Sequence, residues 1–325
     1  MKIHTTLFTL TAALTLGLTM LEASAQSAYP CPNVKLVSPY PPGGTTDILA
    51  RLIQPGLNKA LGVPVIVENK AGASSNIGTE FVASSAPNGC TLLLGNNTGI
   101  VINRNLYKLR VDPMQGLTPV GAVASVPLVL YVNSAVPAGS FNQLVDHVKK
   151  NPGKLSYASG GSGSPQHLMG ELLKLEKGLD LVHIPYKGQG PAMQDVVAGQ
   201  VEMAFETVSV IAPQLSSGRI RALATTSASR SKVLPDLPTM KELGMPDFVT
   251  ENWYGVLVQA KTPPALVQRL NVALKKVLND KEVQTTLAKL GSGDVNGSSD
   301  DFEKFIAREL PLWEKVVKRS GAKVD

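Results

Sequence analysis

Three glycine- and hydroxyl-rich turns carry the side chains and backbone groups best placed to do chemistry in this 325-residue chain. They are Pro41-Pro42-Gly43-Gly44-Thr45-Thr46, Gly72-Ala73-Ser74-Ser75-Asn76 and Gly160-Gly161-Ser162-Gly163-Ser164, with a weaker fourth over residues 95–99. Each follows a short apolar run and precedes a helical pattern. Free N–H groups at a helix start, with the positive end of the helix dipole, favour an anionic oxygen. Glycine lets backbone approach a ligand closely, while Ser, Thr and Asn add hydroxyl or amide donors. One such turn more often serves only to connect a strand to a helix. Several of them, gathered at the carboxyl edge of parallel strands, point to anion capture.

Catalytic templates fit poorly. Gly160-Gly161-Ser162-Gly163-Ser164 has Ser164 where a nucleophile elbow needs its last glycine. Gly43-Gly44 is not followed by the lysine of a P-loop, and Gln166 stands where a dinucleotide fingerprint needs its third glycine. His147 reads as a solvated helix residue, and His183, at a strand end, reads either way. His167, in the first turn after the Ser/Gly loop, is the histidine best placed to face a cleft. His167 and Glu171 lie one helical turn apart, a thin basis for a metal site, and neither metal nor cofactor is expected. Asp47 reads as a cap of its helix. Asp195 and Glu206 follow second-half loops and read as ligand-orienting or as surface groups. Tyr40 and Tyr186, each beside a glycine turn, line a ligand or simply pack. Trp253-Tyr254 belongs to a junction between halves.

Composition sets the frame. The chain is 43% hydrophobic and 17% charged with a formal net charge of +6, which excludes disorder and leaves ample apolar surface for cores. Its basic residues form no block that would grip nucleic acid or an anionic bilayer. Residues 1–25 combine Lys2, an apolar run over residues 7–21 and Ala23-Ser24-Ala25, the parts of a secretory signal. Export to an oxidising compartment favours pairing of the two cysteines. Cys31 precedes the strand Val34–Ser38 and Cys90 precedes a strand over residues 91–94. If those strands are parallel neighbours, both sulfurs lie at one sheet edge within bonding reach, predicting a Cys31–Cys90 disulfide.

Strands alternate with amphipathic helices along the chain, the pattern of βαβ units and parallel sheets. Strands are expected over 34–37, 63–68 and 91–94, with a helix from Thr45 and another through Ala83. An apolar run over 126–132 passes into a second unit. There a helix over 141–150, strand 155–158, helix 166–177, strand 181–184, helix 192–198 and strands 201–205 and 222–225 follow. A return strand over 254–258 and helices over 264–279 and 300–318 close the chain. No low-complexity linker separates the halves, so two intimately joined lobes are expected.

These motifs resemble those of the tripartite tricarboxylate transporter receptors, the Bug receptors. Ser38-Pro39-Tyr40-Pro41-Pro42-Gly43-Gly44-Thr45-Thr46-Asp47 is similar to the family's P-F/Y-x-P-G-G-x-x-D opening, and Glu68 through Gly78 to its E-N-x-x-G-A-x-x-x-x-G segment. The run from Tyr157 to His167, Pro185-Tyr186-Lys187-Gly188, Leu234-Pro235-Asp236-Leu237-Pro238-Thr239 and Trp253-Tyr254-Gly255 complete the set. The resemblance spans nearly the whole chain after the signal. It implies a type II periplasmic-binding-protein-like α/β fold: two doubly wound lobes, joined by crossover strands, with a ligand cleft between them. The expected divisions are 1–25 for the signal, 26–126 plus 250–325 for lobe 1, and 127–249 for lobe 2. Carried over by position, it nominates Tyr40, Gly43, Gly44, Ser74 and Asn76 in the first lobe. In the second it nominates Ser159, Gly161, Ser162, Ser164, His167 and Tyr186. Ser75 stands where the family commonly has glycine. The implied function is a monomeric periplasmic receptor that closes on a small carboxylate and delivers it to membrane permease subunits of a tripartite tricarboxylate transporter. An exported sensor that docks on a two-component kinase is an alternative, as is an exported serine hydrolase using Ser162 and His167.

Overall fold

The computed structural model describes residues 29–293, 295 and 297–324; the signal sequence expected over residues 1–25 lies outside them. The first half runs β1 (Val34–Ser38), α1 (Thr45–Leu61), β2 (Val65–Asn69), α2 (Asn76–Ala83), β3 (Thr91–Asn96), α3 (Pro113–Gly116) and β4 (Leu117–Asn133). The second runs α4 (Phe141–Lys150), β5 (Ser156–Ser159), α5 (Pro165–Lys177), β6 (Val182–Pro185), α6 (Gln189–Val197), β7 (Met203–Thr207), α7 (Val208–Leu215) and β8 (Ile220–Thr225). The chain returns through β9 (Glu251–Gln259), α8 (Pro264–Leu278), α9 (Lys281–Lys289) and α10 (Ser299–Ser320).

The strands follow the order β2-β1-β3-β9-β4-β7-β5-β6, with β8 also pairing β4. β1 pairs in parallel with both β2 and β3, and β5 in parallel with both β6 and β7, so each half contains the βαβ winding that the alternation predicts. β4 is the shared strand. Its residues 117–127 pair antiparallel with β9, and residues 128–133 pair with β7 and β8. Only the second part of it is expected from hydropathy; the first carries Pro119 and Gly121, at an irregularity in the register. Because β1 and β3 are neighbours, Cys31 and Cys90 meet as a disulfide with Cα atoms 5.9 Å apart, as the strand argument predicts.

One apolar cluster lies beneath α1 and α8, where Leu49, Ile53 and Leu57 meet Leu270, Leu274 and Val277. Gly56 allows this close approach, since a Cβ there would come within 2.8 Å of both Val277 methyl groups. A second cluster runs from Val82 and Ile100 to Leu168 and Leu172, joined by Phe302, Ile306, Trp313 and Val317 of α10. α10 thus packs across both halves, and Arg319 near its end pairs with Glu176 and Asp247. Among the described residues no helix is long and apolar enough to cross a membrane.

Candidate functional site

The winding brings the Ser/Gly turns of the two halves face to face. β1 ends into the turn before α1, β2 into the turn before α2, and β5 into the turn before α5. Between the second and third of these lies a cavity of about 240 Å³ lined by Tyr40, Ser74, Ser75, Tyr107, Gly161, Ser162 and Tyr186, with Lys187 as its one cationic residue among the described residues. The turns nearly touch there. A Cβ on Gly161 would lie 3.2 Å from Ser74 Oγ and 3.3 Å from the Tyr186 carbonyl oxygen. Ser74 Oγ is buried and has no hydrogen-bond partner among the described residues.

The 73–75 segment is held in an unusual shape. Ala73, Ser74 and Ser75 have φ of 45°, 50° and 78°, three consecutive non-glycine residues in the left-handed region. Such conformations cost free energy and persist where surroundings enforce them. The enforcing group is Asn103, which follows a π-helical turn (Thr98–Ile102) after β3. Its Nδ2 donates to the Ser74 carbonyl at 2.8 Å and to Asn76 Oδ1 at 2.6 Å.

Of the eleven nominated residues, Tyr40, Ser74, Gly161, Ser162 and Tyr186 line the cavity. The others lie behind it. The Gly43 N–H donates to Asp47 Oδ2 at 3.2 Å, and Asp47 also accepts from Asn69 Nδ2 and Arg51, which hold its carboxyl below the usual carboxylate range despite partial burial. Gly44 precedes Thr45, whose N–H donates to Gln189 Oε1 at 2.8 Å. Asn76 is bound to Asn103. Ser164 caps α5, its Oγ accepting from the His167 N–H at 3.3 Å. Ser159 Oγ lies 2.7 Å from His183 Nε2. His167 is buried and does not line the cavity, its Nδ1 accepting the Gly163 N–H at 3.0 Å. Among the described residues no hydrogen bond joins Ser162 to His167, whose Nδ1 is engaged by the Gly163 backbone.

Tyr107 and Lys187 are lining residues that the sequence reading did not single out. Tyr107 donates from its hydroxyl to the Ser162 carbonyl at 2.9 Å, tying the first half to the second-half turn. It lies in an irregular connection with no periodic signal. Lys187 lies inside the Pro185-Tyr186-Lys187-Gly188 motif, which is the sequence signal that marks it. Tyr186 donates to Asp195 Oδ2 at 2.6 Å, so Asp195 positions a lining residue.

Beside the cavity, a buried polar contact joins the halves. Gln189 accepts from the Thr45 N–H and donates to Glu206 Oε1 at 2.7 Å. Glu206 Oε1 also accepts from Gln166 Nε2 at 3.2 Å and the Thr207 N–H at 2.7 Å. The hydroxyl of Thr45 shares hydrogen bonds with Thr207 and Ser209 at 2.6 and 2.8 Å. Burial pushes the Glu206 carboxyl up to about 8, its hydrogen bonds only partly opposing this.

Two wound halves sharing crossover strands, with hydroxyl- and amide-rich turns enclosing a small cavity, define a solute-binding protein of the periplasmic type. The family described as tripartite tricarboxylate transporter family receptor matches residues 49–322, and the chain belongs to it. It is 37% identical to the protein BugT of Bordetella pertussis over 298 residues, 91% of each chain. Among solved structures it is similar to the periplasmic binding protein BugD (34% identity, TM-score 0.87), covering 91% of this chain and 99% of that one. It is equally similar to R. palustris Rpa4515 with adipate (34% identity, TM-score 0.87), over 91% and 100%. MatC from Rhodopseudomonas palustris, solved with bound malate, is 31% identical with a TM-score of 0.85, over 89% and 100%.

Proposed function

We propose that this protein is a non-enzymatic periplasmic receptor that captures a small carboxylate between residues 26–126 plus 250–325 and residues 127–249, with α10 packed across both. The cavity lined from both halves by uncharged donors carries this reading. Ser74 Oγ, buried and unpartnered, offers a hydroxyl from one side. Gly160, Gly161 and Ser162 line the cavity from the other side, together with Lys187. An anion held by both sides favours the closed arrangement by its differential affinity for it. The relatives solved with adipate and malate support a carboxylate as the occupant. The family supports delivery to membrane permease subunits of a tripartite tricarboxylate transporter as the role of the loaded receptor.

A thermal-shift screen against a carboxylate panel tests this, because a ligand that binds only the folded state raises the melting point. Calorimetry with the best hit then compares Ser74→Ala and Ser162→Ala. A hydrogen bond to a charged group contributes about 1.5–3 kcal/mol, so each variant should bind tenfold or more weakly. No carboxylate raising the melting point, or both variants binding as wild type does, overturns the reading.

A further inference from the structure

We propose that His167 and His183 form an uncharged imidazole platform that positions the 160–163 turn for ligand, an inference that rests on the carboxylate-receptor reading. The two rings stack with centroids 4.0 Å apart and planes 14° from parallel, and His183 stacks in turn on Tyr157 at 4.9 Å. Each ring fixes one of the glycine amides that flank Ser162. His167 Nδ1 accepts directly from the Gly163 N–H. His183 acts through Ser159, whose Oγ lies 2.7 Å from Nε2 and accepts from the Gly161 N–H at 3.2 Å. Ser159 Oγ also lies 3.2 Å from the Gly161 carbonyl oxygen, so its single hydroxyl proton goes to that oxygen or to His183 Nε2 according to the His183 tautomer.

The turn needs such anchors. Gly161 and Gly163 have φ of 132° and 82°, and glycine loses more conformational freedom on ordering than any other residue. Only a neutral imidazole accepts a hydrogen bond, since the charged ring has two donors and no acceptor. Burial pulls His167 down to about 4 and His183 to about 3, the latter helped by His167 and Lys174. The remaining charged and titratable neighbours are Tyr157, Glu171 and Lys174. Glu171 accepts from the Tyr157 hydroxyl at 2.6 Å and pairs with Lys174 at 2.9 Å.

The test uses the folded, ligand-free protein first. At pH 7, imidazole nitrogen shifts should report His167 Nδ1 unprotonated, and the Gly163 amide should be protected from hydrogen exchange. A protonated Nδ1 or an unprotected amide overturns the proposal without any variant. His167→Phe keeps an aromatic ring but removes the acceptor, whereas His167→Asn places Oδ1 near the position of Nδ1. We expect His167→Phe to speed Gly163 exchange at least tenfold and His167→Asn to stay within threefold of wild type. Calorimetric affinities for adipate and malate should follow the same order. Equal exchange in the two variants overturns the platform. If neither dicarboxylate binds wild type, the receptor reading fails for those two probes, while amide exchange still decides the platform.

Discussion

Asn103 Nδ2 donates to the carbonyl of Ser74 from 29 residues away, and so fixes the middle of three consecutive left-handed residues. The same amide group reaches Asn76 Oδ1, at the start of α2. Asn103 is fully buried, so replacing it with alanine leaves both acceptors without their donor. An unsatisfied buried group costs about 1–3 kcal/mol. Asn103→Ala should therefore lower stability by about 2 kcal/mol in urea unfolding. It should also weaken carboxylate binding at least tenfold in calorimetry, because Ser74 loses its fixed position. Unchanged affinity at reduced stability would show that the 73–75 shape does not serve binding.

Ser75 has φ of 78° without the freedom of glycine. Relief of a left-handed non-glycine residue is worth roughly 1–2 kcal/mol, partly offset by the extra entropy glycine has when unfolded. Ser75→Gly should stabilise the protein by roughly 0.5–1 kcal/mol in chemical denaturation. A destabilised variant would mean that the buried Ser75 side chain contributes more than its backbone strain costs.

The βαβ units were legible because hydropathy switches between alternating and helical periods at glycine turns, as at Gly43-Gly44 and Gly160-Gly161. The disulfide followed from two strand starts and export alone. The site was legible as turns but not as a cavity, because which turn residues face inward depends on competition for their hydrogen bonds. Gly43 and Ser164 carry suitable groups, yet Asp47 and the His167 N–H engage them. Tyr107 and Asn103 lie in a connection after β3 whose shape is set by packing rather than local periodicity. The first part of β4 was hidden by Pro119 and Gly121, tolerated because β9 pairs with it around a register shift. α7 was hidden by its shortness and by Pro213 within it.

The Cys31–Cys90 bond closes a loop with a sequence separation of 59. In the chain-entropy account such a loop restricts the unfolded state by about 4 kcal/mol. The double variant Cys31→Ser/Cys90→Ser should lose stability of that order in urea unfolding while its carboxylate affinity changes less than threefold, since neither residue lines the cavity. Thiol titration of unfolded, unreduced wild type should find no free thiol; two would contradict the bond.

Glu206 gives the fold a pH dependence of definite sign. Its carboxyl is raised from 4.5 to about 8, chiefly by burial, with Tyr131 and Tyr254 nearby. The folded state therefore holds a proton that the unfolded state releases between those values. The stability this contributes is fully present below about 4.5 and is lost as pH rises through about 8, at most about 1.4 kcal/mol per pH unit. The two buried histidines act in the opposite sense, since they resist the protons that the unfolded chain takes up below 6.5. Glu206→Gln keeps an oxygen acceptor for Gln166, Gln189 and Thr207 but cannot ionise. Urea unfolding between pH 5 and 8.5 should show wild type losing stability relative to this variant from about pH 5 upward, with the acid-side loss below pH 6.5 common to both. A difference that stays constant with pH would show that Glu206 does not change its charge on unfolding, and that the contact from Gln189 to Thr45 is held by a carboxyl in one fixed state.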